Sequence, residues 1–238
     1  MIRALRALKA WLKPRFGSEL DRVIAPEIAD DRFFALLEEL AARPDVRSIL
    51  EIGSSSGEGS TAALVRGARR NPSSPQLHCM EVSAPRFERL VENYRGVPFV
   101  HCHRASSVPL ERFPTEADVS RFYDEVPSRL RRTPRFEVLR WLAQDVAYVR
   151  AHGLSANGIG DIRRVHGIDR FDLVLIDGSE FTGGAELDEV YGARVIALDD
   201  TETFKNFRGR ERLGADPGYR LLEESARLRN GFAVFERR

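Results

Sequence analysis

The sequence has few lysines, few cysteines and no long apolar run. Only Lys9, Lys13 and Lys205 are lysines among its 37 basic residues. Cys79 and Cys102 are the only cysteines, too few for a disulfide-stabilised secreted scaffold, which favours a reducing, cytoplasmic location. No apolar run approaches the ~20 residues that a membrane-spanning helix needs, and no signal peptide is visible. These absences exclude a transmembrane protein and a disulfide-rich domain.

The chain also lacks a large excess of either charge. It carries 37 basic and 36 acidic residues, a formal net charge of +1, and 42% hydrophobic residues. This composition excludes an intrinsically disordered chain, which combines low hydrophobicity with high net charge. It argues against a nucleic-acid partner, because a dedicated binder has a larger basic excess. The length of 238 residues predicts one large domain or a domain with an insert.

The N-terminal segment differs from the rest because its charges have one sign. Residues 1–45 are predicted to form N-terminal helices ahead of a main domain over residues 46–238. In the first helix, residues 2–13, isoleucine and leucine recur at helical spacing, and five basic residues precede the first acid, Glu19. Such a helix either packs within the protein or a homodimer, or makes a weak peripheral contact with an anionic membrane surface. Both alternatives remain open at this point.

Apolar segments that alternate with helical segments predict a parallel sheet. A doubly wound, Rossmann-like α/β fold is the expected class, with seven strands and an antiparallel hairpin at the C-terminal end. The predicted strands are residues 48–52, 77–82, 98–102, 171–176, 194–198, 219–225 and 231–237. The predicted helices around the first three are residues 30–43, 61–70 and 84–94.

A long insert separates the third and fourth predicted strands. It spans nearly seventy residues, far more than one crossover needs. Helical patterns over residues 115–132 and 133–150, followed by a loop at 153–160, predict a helical cap at about residues 109–167. Because the insert leaves and re-enters the sheet at its ligand-binding edge, the cap is expected to cover the substrate pocket.

A glycine-rich turn follows the first strand and reads Glu51-Ile-Gly53-Ser-Ser-Ser-Gly57-Glu-Gly59. Such a turn lets a ligand approach the backbone closely. The segment from Gly57 fits the dinucleotide pattern G-x-G-x-x-A but begins four residues too late, and Glu51 would repel a diphosphate. An NAD(P)-dependent oxidoreductase is therefore the weaker alternative. An acid favours a ligand such as S-adenosylmethionine, which has an ammonium and a sulfonium group and no phosphate.

The spacing Glu51-x-Gly53-x-x-x-Gly57-x-Gly59 resembles motif I of the class I S-adenosylmethionine-dependent methyltransferases. Glu81 ends the second strand, where that family places an acid on the ribose hydroxyls. Ser106 follows the third strand, where the family's loop touches the adenine, although the family's acid before this serine is absent. The residues that the resemblance assigns to the cofactor are Glu51, Gly53, Ser54, Gly57, Gly59, Thr61, Glu81, Ser106 and Asp177.

Acids also follow the fourth and fifth strands. Asp177 ends the fourth strand, and Asp199 and Asp200 end the fifth. In a doubly wound sheet these strand ends face the same crevice. Three adjacent carboxylates repel one another unless a proton or a cation joins them, and a hard divalent cation such as Mg²⁺ prefers oxygen ligands. The five histidines show no ligand pattern along the chain, so no histidine site is expected.

The segments around these acids resemble the metal-dependent O-methyltransferases of sugars and natural products. The resemblance implies that Asp177, Asp199 and Asp200 hold a divalent metal, with Asp177 also serving catalysis and the cofactor. Glu180 is the candidate general base, where relatives often have histidine. The implied reaction is methylation of a hydroxyl on a sugar, glycan or natural product. A non-catalytic binding protein with the methyltransferase fold is the remaining alternative.

Overall fold

The computed structural model describes residues 19–154 and 156–238. The predicted helix at residues 2–13 lies outside the described residues. The first long helix, α1, spans Arg32–Ala41 and begins at Asp31, whose side chain accepts a hydrogen bond from the Phe34 N–H. Its apolar face packs against the next helix along the chain, which spans Ser60–Arg70 and is labelled α2. Among the described residues, no helix is long and apolar enough to cross a membrane.

One seven-stranded sheet forms the centre of the molecule, in the order β3-β2-β1-β4-β5-β7-β6. The first five strands are parallel, and β7 is antiparallel to both β5 and β6. This arrangement confirms the predicted mostly parallel sheet with its C-terminal antiparallel pair. The strands are β1 Ser48–Ile52, β2 Gln76–Met80, β3 Val100–His103, β4 Leu173–Ile176, β5 Val195–Asp199, β6 Tyr219–Ser225 and β7 Phe232–Arg237.

Helices cover both faces of the sheet, because alternate strand residues point to opposite sides. Ile49, Leu77 and Leu173 join the cluster that includes α1 and α2. Leu50, Val174 and their neighbours join the cluster on the other face. The remaining helices are α3 Ala84–Asn93, α4 Glu116–Glu125, α5 Arg135–Ala151, α6 Gly158–His166, α7 Gly183–Val190 and α8 Phe207–Ala215.

The insert between β3 and β4 carries α4, α5 and α6, so the segment predicted to form the cap is helical. A third apolar cluster packs α4 and α5 against Phe181 and Phe204, in the loops that follow β4 and β5. The loop prediction for residues 153–160 is partly wrong, because α6 begins at Gly158. Asn157 caps this helix by accepting a hydrogen bond from the Gly160 N–H at 2.8 Å. Its first turn contains two glycines, which are typical of loops, so the sequence pattern did not indicate a helix there.

Candidate functional site

A cleft of about 260 Å³ opens at the carboxyl ends of the parallel strands. It lies where the strand order reverses between β1 and β4, the position at which doubly wound sheets bind their ligands. The turn after β1, the ends of β2 and β4, the loop after β3, the helix α5 and the segment over residues 20–28 contribute to its walls. The glycine-rich turn and the helix α5 therefore line the same cavity.

Glu51 organises the glycine-rich turn from inside the protein. It is fully buried and accepts hydrogen bonds from the hydroxyls of Ser54 at 2.6 Å, Ser60 at 2.7 Å and Thr61 at 2.7 Å. These bonds tie the turn to the first residues of α2. Ser54 and Ser60 line the cleft, whereas Glu51 is not among the described residues that line it. Its carboxylate thus fixes the positions of the cleft-lining serines without itself lining the cleft.

We expect Glu51→Gln to destabilise the protein by about 1–3 kcal/mol, because an amide accepts fewer of the three hydroxyl hydrogens and leaves buried groups unpaired. Thermal unfolding measures the change. Glu58→Gln is the matched control, since Glu58 is an exposed acid of the same turn. Equal melting temperatures for the two variants would contradict the role given to Glu51.

At two glycines of the turn, any side chain would collide with neighbouring atoms. Gly53 has a φ of +91°, and a Cβ there would lie 2.1 Å from the backbone oxygen of Asp177. Gly57 has a φ of +83°, and a Cβ there would lie 2.6 Å from the ring of Tyr94. The Tyr94 hydroxyl donates to the Gly57 carbonyl at 2.5 Å. The absence of side chains lets the turn approach β4 and α3 directly.

Glu81 and Ser106 line the cleft from the two strands beyond β1. Glu81 is 6% exposed, and its carboxylate accepts the Ser83 N–H at 2.7 Å. Burial raises the pKa of Glu81 above its usual value. The Ser106 hydroxyl donates to the Val108 carbonyl at 2.7 Å. Of the residues predicted to bind the cofactor, the structure places these six on the cleft: Gly53, Ser54, Gly59, Glu81, Ser106 and Asp177. It places Glu51, Gly57 and Thr61 behind the cleft wall.

The structure brings together the three aspartates at the ends of β4 and β5. One carboxylate oxygen from each of Asp177, Asp199 and Asp200 lies within 4.8 Å of the other two. Asp200 has a φ of +55°, so the chain turns sharply after β5. Asp177 and Asp200 line the cleft. The acids predicted as metal ligands therefore form one group at the edge of the cavity.

Two basic side chains already contact this acidic group. The Lys205 ammonium is 3.0 Å from Asp177 Oδ1 and 2.7 Å from Asp200 Oδ2. Arg229 donates to Asp199 Oδ1 at 3.0 Å. Lys205 is 7% exposed; burial alone would lower its pKa, but the surrounding aspartates raise the pKa well above the usual value. Lys205 is the single lysine beyond residue 13. This rarity is the one sequence signal that could have marked Lys205 as a site residue.

Carboxyl groups still outnumber the cations at this site. Burial, then the Asp200 charge, raises the pKa of Asp199 to about 6. Burial raises the pKa of Glu180 to about 7. Carboxylate oxygens are the ligands that hard divalent cations prefer, so the donor set fits such an ion. Lys205 contacts one carboxylate oxygen of Asp177 and one of Asp200, so its ammonium competes electrostatically with an ion bound by this group.

The cap contributes an acid that the sequence did not reveal. Asp145 of α5 is half-buried, lines the cleft and accepts a hydrogen bond from the Ser179 hydroxyl at 2.5 Å. Burial raises its pKa to about 6. The available signal was an acid on the apolar face of a predicted helix, three residues after Leu142 and four before Val149.

Glu180 contacts the loop that follows β5. Its carboxylate accepts the Phe204 N–H at 2.9 Å and the Thr203 hydroxyl at 3.1 Å. It is not among the described residues that line the cleft. Its predicted role as the general base stays a prediction.

Comparison with known proteins identifies the fold. No protein-family model and no curated protein sequence matches the chain. An O-methyltransferase from Bacillus cereus, solved with S-adenosylhomocysteine, is similar at a TM-score of 0.53, with 15% identity over 100% of both chains. Cofactor-bound Rv0187 from MTB reaches a TM-score of 0.54, with 18% identity over 100% of this chain and 88% of the other.

A third similar structure is the O-methyltransferase TomG from Streptomyces achromogenes, involved in tomaymycin synthesis and solved with S-adenosylmethionine. Its TM-score is 0.50, with 15% identity over 98% of this chain and 96% of the other. At these identities the likeness concerns the fold. The chain has the Rossmann-like fold of the class I S-adenosylmethionine-dependent methyltransferases, as the resemblance of the glycine-rich turn implied.

Proposed function

We propose that the protein is an S-adenosylmethionine-dependent O-methyltransferase that acts on a hydroxyl of a sugar, glycan or natural product. The observation that carries the proposal is the direct contact between the glycine-rich turn and the acidic group. Gly53 lies against the backbone of Asp177, and both line one cleft. A cofactor held by the turn would therefore present its reactive end to the acids.

The polarity of the cleft supports this cofactor over a nicotinamide dinucleotide. In the proposed complex, the Glu81 carboxylate accepts hydrogens from the two ribose hydroxyls, and Ser106 lies beside the adenine. Asp177 lies where the positively charged sulfonium and ammonium groups would approach. A carboxylate at the position of Asp177, beside the glycine-rich turn, would repel a diphosphate held by that turn, which disfavours the oxidoreductase alternative.

The proposed chemistry is an in-line displacement. The acceptor oxygen attacks the sulfonium methyl carbon, the carbon–sulfur bond breaks, and S-adenosylhomocysteine leaves with the bonding electron pair. The acceptor proton passes to a carboxylate. General-base assistance of this kind contributes about 10²–10⁴-fold. Asp145 and Glu180 are the two candidates, and the position of Asp145 on the cleft wall supports Asp145.

Asp177, Asp199 and Asp200 are proposed to hold a divalent cation, most simply Mg²⁺. A cation bound there would lower the pKa of an acceptor hydroxyl and fix its position. Lys205 supplies positive charge to Asp177 and Asp200 when no cation is bound. The donor set supports either state, and the two are separated by measuring turnover with Mg²⁺ and with EDTA.

For the base, we expect the native kcat to rise with pH through about 6, because the Asp145 carboxylate accepts a proton only in its ionised form. Asp145→Asn removes this rise and lowers kcat about 10²-fold or more. Glu180→Gln is the matched control, since it removes a second half-buried carboxyl with a raised pKa. If kcat no longer rises with pH in Glu180→Gln but still rises in Asp145→Asn, the general base is Glu180 instead.

The function itself is tested with S-adenosylmethionine carrying a labelled methyl group. Catechols, monosaccharides and phenolic natural products serve as acceptors, and the label is followed into the acceptor. Transfer to a hydroxyl oxygen supports the proposal. Binding of S-adenosylhomocysteine without transfer to any acceptor favours the non-catalytic binding protein, and reduction of NAD⁺ or NADP⁺ by a hydroxylated substrate favours the oxidoreductase.

A further inference from the structure

Four of the five histidines lie together, away from the acidic group. His78 comes from β2, His101 and His103 come from β3, and His166 is the last residue of α6. His78 and His101 are paired in the register of the two strands. The expectation that the histidines do not cluster is wrong, because strand pairing and the packing of the insert join positions that are distant along the chain.

Three of these imidazoles are spaced as metal ligands. His78 Nδ1 and His103 Nε2 are 3.1 Å apart, and the ring centroids of His78 and His166 are 4.4 Å apart. One nitrogen from each of the three rings lies within 4.8 Å of the other two. Ligand nitrogens at 2.0–2.1 Å from a tetrahedral zinc ion are about 3.3 Å apart. The first pair already has this spacing, and exposed His166 can rotate to meet it.

The surroundings favour neutral imidazoles, the form that binds metal. His78 is 1% exposed. Burial, and secondarily the neighbouring histidines, lowers the pKa of His78 to about 3 and the pKa of His103 to about 4. His101 lies beside the three rings, and its Nε2 is 2.8 Å from Gln76 Oε1. Imidazole nitrogen suits Zn²⁺, Cu²⁺ and Ni²⁺ and does not suit Mg²⁺.

From this geometry we propose that His78, His103 and His166 bind a divalent transition metal, with Zn²⁺ as the first candidate and water as the fourth ligand. The site links the end of α6 to β2 and β3. At its other end, α6 donates from Gly158 and Ile159 to the carbonyls of Ser106 and Ser107, in the loop that lines the cleft. A metal at the histidines thus holds the insert and this loop to the sheet.

The test is equilibrium dialysis of tag-free, full-length protein against ZnCl₂, with millimolar Mg²⁺ present to occupy the acidic group. One zinc ion per chain is expected, and His166→Ala and His103→Ala each weaken the affinity about tenfold or more. Because His166 is exposed, we expect the His166→Ala variant to fold like the native protein. His152→Ala is the matched control, because the fifth histidine stacks on Tyr148, outside the cluster.

A second readout uses Co²⁺ in place of Zn²⁺. Four-coordinate ligation by three imidazoles and a water gives intense visible absorption, which native protein and His152→Ala are expected to show and His166→Ala is expected to lose. Zinc affinity in His166→Ala and His103→Ala equal to that of the native protein would overturn the proposal. Absence of zinc binding by the native chain at micromolar concentration would overturn it as well. Neither outcome depends on the proposed methyltransferase activity.

Discussion

Replacing Lys205 with methionine is expected to lower the free energy of unfolding by about 3–5 kcal/mol, measured by urea denaturation in EDTA. Methionine retains most of the side-chain volume but removes the ammonium that lies 3.0 Å from Asp177 and 2.7 Å from Asp200. The acidic group would then keep Arg229 as its nearby cation. A cluster of buried carboxylates with too little positive charge is costly, because neither water nor a partner compensates them.

The stabilisation by added Mg²⁺ should also differ between Lys205→Met and the native protein. An ion that binds only the folded protein stabilises it in proportion to the logarithm of its concentration over its dissociation constant. Lys205→Met removes an ammonium that contacts Asp177 and Asp200, two of the three proposed ligands, so Mg²⁺ should stabilise this variant more than the native protein. Arg208→Met is the matched control, since Arg208 forms an exposed ion pair with Glu211 on α8. Stability within 1 kcal/mol of the native value, on the scale of surface substitutions, would contradict the role of Lys205.

The second large effect is expected for Gly53→Ala. The new methyl group would lie 2.1 Å from the Asp177 backbone oxygen, at a φ of +91° that alanine rarely adopts. Either the glycine-rich turn or the end of β4 must move, and both line the cleft. We expect S-adenosylhomocysteine to bind about 100-fold more weakly, which corresponds to about 3 kcal/mol.

The control for this substitution is Gly184→Ala. Gly184 lies in α7, and a Cβ there meets nothing within 4 Å, so alanine should leave binding unchanged. Calorimetric titration compares the three proteins, and circular dichroism verifies that both variants fold. Native-like affinity in Gly53→Ala would show that the turn does not need its close approach to β4.

Much of the fold could be predicted because strong local patterns decide it. The strands Ser48–Ile52 and Tyr219–Ser225 match their predicted bounds, and the other strands differ at their ends by one or two residues. Buried parallel strands are continuous apolar runs, which are visible in any one segment. The helix α6 was partly missed because Gly158 and Gly160 lie in its first turn. Gly158 is needed there, since a Cβ would lie 2.4 Å from the Ser106 carbonyl oxygen.

The candidate site could be predicted only where strand ends carry its residues. Asp177, Asp199 and Asp200 follow strands whose ends must share one edge of the sheet. Asp145 and Arg229 reach the site from the cap and from the final hairpin, so their positions depend on tertiary packing. The histidine cluster has the same origin. No spacing along the chain indicates which helix end meets which strand. The proximity of these residues is therefore seen only in the folded structure.

The cofactor class can be decided by one calorimetric comparison. S-adenosylhomocysteine and NADH are titrated separately into the native protein under identical conditions. We expect S-adenosylhomocysteine to bind with one site per chain, and NADH to give only its heat of dilution, because the Asp177 carboxylate beside the glycine-rich turn would repel a diphosphate held there. Saturable binding of NADH with no binding of S-adenosylhomocysteine would contradict the proposed methyltransferase.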